Sequence, residues 1–181
     1  EETLDAAGLA PVAVLCSHAH VDHCANNRRF QEKYGAEIAL TFPEAGMCSS
    51  LLTLKCYFLT LSPGTVERES SCMVHKPDRF IPPSDGPFTL GGVEFQIIQT
   101  PGHSAGHICT VTPDNVCYTA DALLSAGMLE SKLPYNLSQA MAMDSREKLR
   151  RLGCGFYVMA HRGVCSGEEV GPLIDANQAL I

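Results

Sequence analysis

The chain predicts an α/β fold in which a sheet carries helices on its face, and three observations lead there. Residues 11–41 read as strand, loop, helix, strand. The middle third, 80–121, packs several short apolar runs between Gly, Pro and Asn turns. The last third alternates helix, strand, helix. With 181 residues and 45% apolar content, a single domain spanning 1–181 with a sizeable core is expected.

In chain order, residues 2–9 look like a helix end stopped at Gly8, and "PVAVLC" at 11–16 is a short buried strand. After "SHAHVDHCAN", the stretch "NNRRFQEKYG" has an Asn cap, charged faces and a terminal Gly35, the marks of a short helix. "AEIALT" at 36–41 returns to strand. Residues 43–80 are less regular: a Pro-initiated helix "PEAGMCSSLLTL", then a polar loop with "SPG" and "KPD", read together as a lid or insertion.

From Phe80, "RFIPPSDGPFTL" and "VEFQIIQT" form a hairpin about Gly91 and Gly92, and "HICTVTPDNVCYTAD" a second about Pro113, Asp114 and Asn115. "LSQAMAMDSREKLRRLG" is a helix with apolar positions 137, 141, 149 and 152 and a Gly153 stop. "FYVMA" is a strand, and "SGEEVGPLIDANQALI" a helix opened by Ser166 and Glu169 as a capping box.

Composition narrows the function. A net charge of −7 argues against a surface built for phosphate backbones, so nucleic acid is not an expected partner. The longest apolar run, "LLTLKCYFLTL", is broken by Lys55 and falls well short of a membrane span, which needs about 20 residues. Nine cysteines without a CxxC pair read as mostly buried thiols of a reducing cytosol, Cys24 among them as a packing residue. The acidic opening "EETLDAAGLA" carries no secretory signal, and a cytoplasmic location is expected.

The chemistry lies at strand ends. His18, His20, Asp22 and His23 follow the first strand, His103 follows "VEFQIIQT", Asp121 follows "VCYTA" and His161 follows "FYVMA". Imidazole and carboxylate suit zinc, iron or manganese, and one loop cannot surround an ion alone, so donors must converge from several elements. Within the string, His18 and His20 alternate and can aim together, whereas Asp22 and His23 lie past a bend and can serve a second ion.

These residues resemble the metallo-β-lactamase superfamily, with a motif set like that of glyoxalase II. The resemblance is carried by HxHxDH at 18–23, His103 of "TPGHSAGH", Asp121 of "YTAD" and His161 of "AHRG". It implies a four-layer αβ/βα sandwich. It also implies that His18, His20 and His103 hold one metal, that Asp22, His23 and His161 hold the other, and that Asp121 bridges them. Two divalent ions are expected, zinc first, with iron or manganese as alternatives. Sharing a water between two dications lowers its pKa from about 15.7 toward neutrality, giving a hydroxide nucleophile that Asp22 or Asp121 orients or relieves of a proton. His107, four residues after His103, is implied to support the site without coordinating. His75 reads as an exposed loop residue.

Two departures from the family pattern stand out. Ala120 occupies the place of a usual glycine before the bridging Asp. Only 17 residues precede His18, so the N-terminal sheet should be incomplete, with an exposed edge through which a second copy could pair. His20, where flavodiiron relatives carry Glu, favours hydrolysis over redox chemistry, and "TPGHSAGH" is close to the wording of hydroxyacylglutathione hydrolases. The final helices lack a clear basic cluster for a glutathione carboxylate. Three function classes follow: a dinuclear hydrolase of a small ester, thioester or lactam; an iron-dependent oxidoreductase or dioxygenase of the same fold; and a truncated metal-binding domain without activity. Pocket walls would come from 43–80 and from 123–136, where Tyr135 and Lys132 could touch substrate but read as ordinary loop residues.

Overall fold

The computed structural model describes residues 2–131 and 134–180 and consists of two units, Glu1–Ile81 and Pro82–Ile181. Lys132 lies outside the described residues. In the first unit, α1 (Glu2–Ala6) precedes β1 (Ala13–Leu15), α2 (Val21–Cys24), α3 (Asn27–Tyr34), β2 (Glu37–Thr41), α4 (Phe42–Met47), α5 (Leu51–Tyr57), α6 (Pro63–Ser70), a 3-10 turn (Ser71–Met73) and β3 (Arg79–Ile81). The strands form a parallel sheet in the order β1-β2-β3. Each parallel step needs a crossover, supplied by α2 and α3, then by α4 to α6. Central β2 is buried from Ile38 to Thr41, as expected of a strand covered on both faces. The α3 helix ends at Gly35, whose φ of 66° is the left-handed stop the sequence announces.

Residues 43–80 depart from the sequence expectation. "PEAGMCSSLLTL" is two helices, because Ser50 turns extended and caps α5 by accepting from Thr53 N–H while Thr53 returns the bond. The "SPG" stretch is helical too: Ser62 caps α6 and Pro63 takes its first turn, where a missing N–H costs nothing. His75 is buried, not exposed. Its Nδ1 meets Met73 O at 2.7 Å and its Nε2 meets Asn27 Nδ2 at 3.2 Å.

In the second unit, β4 (Gly86–Leu90), β5 (Val93–Gln99), β6 (Ile108–Val111), β7 (Val116–Ala120), β8 (Phe156–Met159) and β9 (Gly163–Ser166) lie in sequence order in one sheet. All neighbours are antiparallel except β7 and β8, which are bridged by α7 (Ala126–Leu129) and α8 (Gln139–Arg150); α9 (Val170–Ala179) follows β9. Both expected hairpins form, the second with Asn115 at φ 63°. "RFIPPSDGPFTL" is split between the two sheets, since Pro82 and Pro83 have no N–H for a ladder. Among the described residues the first sheet thus has three strands and the second six.

The α8 helix buries the expected Leu149, and Leu152 packs partly buried against the same core, but the other two expected apolar positions face outward. Leu137 and Met141 are exposed, while Ala142, Ser145, Arg146 and Leu149 are buried. Small residues are required there because the turn at 101–102 lies against the helix: Ser145 Oγ donates to Pro101 O at 2.7 Å. The expected Ser166–Glu169 pairing is present, Ser166 N–H donating to the carboxylate at 2.8 Å, but α9 starts only after Glu169. Six of the nine cysteines are buried and all nine are free thiols. Among the described residues no helix is long and apolar enough to cross a membrane.

Candidate metal centre

In the first unit, β1 ends at Leu15 and the chain bends through Cys16 and Ser17 into the ligand string. His18 and Ala19 are fully buried. His18 Nδ1 lies 3.1 Å from Ser17 Oγ. His20 Nε2 lies 2.6 Å from Tyr57 Oη. His18 and His20 present ring nitrogens within 4.8 Å of one another. Asp22 and His23 lie one turn on, in α2, with His23 Nε2 3.6 Å from Asp22 Oδ2; the His18 and His23 ring centres are 4.0 Å apart.

Two contacts hold this string that its own residues do not announce. Glu44 of α4 is buried, and its Oε2 accepts the Ala19 N–H at 2.7 Å, fixing the residue between His18 and His20. Cys16 Sγ donates to His18 O at 3.2 Å. Orienting partners of this type are a regular part of metal sites. Glu44 had no sequence signal beyond its place in a Pro-initiated helix, and Tyr57 none at all.

In the second unit, His103 follows β5 in the turn 101–104. Gly102 adopts φ +142°, and a Cβ there would stand 2.4 Å from Ala142 N, so the turn seats directly on α8. Ser138 N–H donates to Gly102 O at 3.0 Å, which ties the two further. His103 Nδ1 donates to Tyr135 O at 2.8 Å, leaving the lone pair on Nε2. Tyr135 thus serves the site through its backbone carbonyl. His107 is buried with Nδ1 2.9 Å from Thr100 Oγ1, and its ring centre is 5.8 Å from that of His103.

Asp121 leaves β7 through a register shift at 118–120, and Ala120 takes the left-handed φ of 46° that a glycine would adopt without strain. Buried Arg146 braces this turn, its Nε donating to Ala122 O at 2.9 Å; burial lowers its pKa to about 10. His161 follows β8 in the turn to β9. A single oxygen, Asp121 Oδ2, lies 3.4 Å from both His103 Nε2 and His161 Nε2.

This donor set fits a metal. A lone pair on His103 Nε2 facing a carboxylate oxygen is repulsive unless positive charge joins them, and a dication supplies that charge at a pH where imidazole is neutral. The Nδ1 bond from His103 to a backbone carbonyl is the arrangement that orients metal-bound histidines. Each unit therefore contributes imidazole and carboxylate donors of the kind that hold a metal.

Sequence comparison places the chain in a family. The model of the metallo-beta-lactamase superfamily matches residues 2–161, and the chain belongs to that superfamily. Hydroxyacylglutathione hydrolase of Mesorhizobium japonicum is 26% identical over 160 residues, covering 85% of this chain and 52% of that protein. Hydroxyacylglutathione hydrolase GloC of Haemophilus influenzae is 26% identical over 161 residues, covering 83% and 68%. This chain spans about half the length of the first of these relatives. Among solved structures, a metallo-beta-lactamase family protein from Thermus thermophilus superposes with a TM-score of 0.73 at 22% identity, covering 99% of this chain and 64% of that one. The BLEG-1 B3 metallo-beta-lactamase gives 0.72 at 19%, covering 99% and 81%. The fold is thus the metallo-β-lactamase sandwich that the motif set implies.

Proposed function

We propose that the chain is a dinuclear metal-dependent hydrolase of a small ester, thioester or lactam, with a hydroxyacylglutathione-type thioester as the first substrate to try. In this reading His18, His20 and His103 hold one ion, Asp22, His23 and His161 the other, and Asp121 serves both. The observation that supports it most is the position of Asp121 Oδ2, equidistant from a nitrogen of each proposed set. The names of the curated relatives support the thioester.

Bound divalent ions would supply an acidified water and a Lewis acid for the scissile carbonyl. The chain's own part is to position and to move protons. Ser17, Tyr57 and Tyr135 O each engage one nitrogen of a proposed ligand imidazole and would orient its ring, Tyr135 O by accepting from His103 Nδ1. Asp22 and Asp121 would accept the proton of the attacking water, since a ligating carboxylate keeps a second oxygen with lone pairs whereas a ligating imidazole keeps none. Zinc is the ion expected first for an imidazole and carboxylate set.

Thiol release from a hydroxyacylglutathione, measured on chelated and zinc-loaded protein with the metal content determined in parallel, tests the reading. Turnover that follows two metals per chain and falls at least about 100-fold in Asp121→Asn supports it. Equal turnover in chelated and loaded protein would overturn it.

A further inference from the structure

Cys24 is the last residue of α2, directly after His23, and Cys48 follows the last residue of α4. Their sulfurs are 3.8 Å apart, about 1.8 Å beyond a disulfide bond. Both are fully buried in one apolar cluster with Leu40, Ala45, Leu54 and Met73. We propose that Cys24 and Cys48 form an oxidation-sensitive dithiol, closed to a disulfide by peroxide, and that closing it weakens the hold of the adjacent Asp22 and His23 on metal. The second part rests on the metal reading above.

The surroundings favour oxidation at Cys48. Its thiol is held down to about 6 by the hydrogen bond from Cys24 and by the His75 imidazole, against burial, which acts the other way. His75 N–H donates to Cys48 O at 3.2 Å, which keeps that residue beside the sulfur. A cavity of about 730 Å³ is walled by Ala45, Ser49 and His75, residues near Cys48 in the chain or bonded to its carbonyl, so a water-sized oxidant can come close to that residue.

The chemistry balances with hydrogen peroxide as oxidant. The Cys48 thiolate attacks one peroxide oxygen, the O–O bond breaks, and the departing hydroxide takes a proton to become water. The Cys24 sulfur then attacks the Cys48 sulfenic acid, the S–S bond forms, and the hydroxyl leaves with the Cys24 proton as a second water. The two sulfurs lose two electrons and the peroxide gains them.

Bringing the sulfurs together pulls the end of α2 toward α4. His23 is the neighbouring residue, and its carbonyl is also 3.9 Å from the Cys16 thiol that supports His18 O, so the ligand string cannot follow without disturbance.

The test uses the full chain, chelated and reduced, treated with hydrogen peroxide at about one equivalent. The expected result is loss of two of the nine free thiols, a Cys24–Cys48 link in the peptide map, and zinc affinity at least about tenfold lower, restored by dithiothreitol. Cys48→Ala and Cys48→Ser should both abolish the link and the affinity change, with folding checked by circular dichroism. Thiol loss confined to exposed Cys56 and Cys72, or a link without an affinity change, overturns the proposal. A link in protein that never binds zinc overturns the metal reading instead, while zinc binding without a link overturns this one alone.

Discussion

Glu44→Ala is the most exacting test of how the ligand string is held. The carboxylate is 1% exposed, so solvent does not screen it, and its Oε2 takes the Ala19 N–H at 2.7 Å. A hydrogen bond to a charged group contributes roughly 1.5–3 kcal/mol, and a buried donor left unmet costs roughly 1–3 kcal/mol. Relief from desolvating the carboxylate offsets part of this, which leaves a net loss of about 2 kcal/mol, a factor of about 30 in an equilibrium constant. Glu44→Gln keeps an acceptor of the same reach and should lose about half as much. Because Ala19 separates His18 from His20, the loss should also appear as a 10- to 100-fold drop in zinc affinity. Denaturant unfolding of chelated protein and competition titration of zinc measure the two quantities separately. If Glu44→Ala matches wild type in both, the contact does not support the string and the reasoning fails.

Other substitutions probe the remaining supports. Gly102→Ala should cost about 3 kcal/mol in denaturant unfolding, because the residue sits at φ +142° with α8 backbone 2.4 Å from the added methyl; a loss under about 1 kcal/mol would mean the turn is not seated there. Ala120→Gly should stabilise by about 0.5–1 kcal/mol, since relief at φ 46° outweighs the added chain entropy, and a lower melting temperature would contradict it. Tyr57→Phe removes one hydroxyl and should weaken zinc about tenfold with stability nearly unchanged, whereas equal affinity would show that the Tyr57 contact does not orient His20. Asp78 is held below the ordinary carboxylate value by the Ile38 N–H and then by Gln31. Its contribution is therefore complete above about pH 4 and is lost as pH falls through the folded value. Unfolding free energies of chelated protein should fall less steeply below pH 5 in Asp78→Asn than in wild type, and parallel slopes would refute this.

Much of this was legible in the sequence because the informative residues act locally. The strands at 13–15, 37–41 and 156–159 show as short apolar runs, and the Gly91–Gly92 turn needs no partner outside its own hairpin. His18, His20, His23, His103, Asp121 and His161 stand out because polar donors recur where apolar runs stop. The supports did not, since they act at long range. Glu44 meets a backbone N–H 25 residues away, and a lone Glu in a helix reads as solvated. Arg146 lies in "SREKLRR", which reads as a surface stripe, yet it is buried because it reaches Ala122 O across 24 residues. His75, among Pro, Lys and Asp, reads as loop for the same reason. On α8 the spacing marks Leu149 and Leu152 correctly but not Ala142 and Ser145, because packing at the Pro101–Gly102 turn selects small residues, not apolar ones.

The two halves of the ligand string are supported by different means, and this bears on how the centre would fail. His18 and His20 are held mainly by polar contacts from Ser17, Tyr57 and Glu44, which are insensitive to redox state, with the Cys16 thiol added on His18 O. Asp22 and His23 ride on a single helical turn whose end, Cys24, is held by packing and by a sulfur neighbour. Polar contacts at fixed reach restrict rotation, whereas packing around sulfur tolerates rotamer change. The α4 helix supplies both kinds of support, Glu44 to one half and the residue just past its end, Cys48, to the other. A displacement of α4 would therefore reach every proposed ligand in the string, while oxidation of the cysteines would bear first on Asp22 and His23.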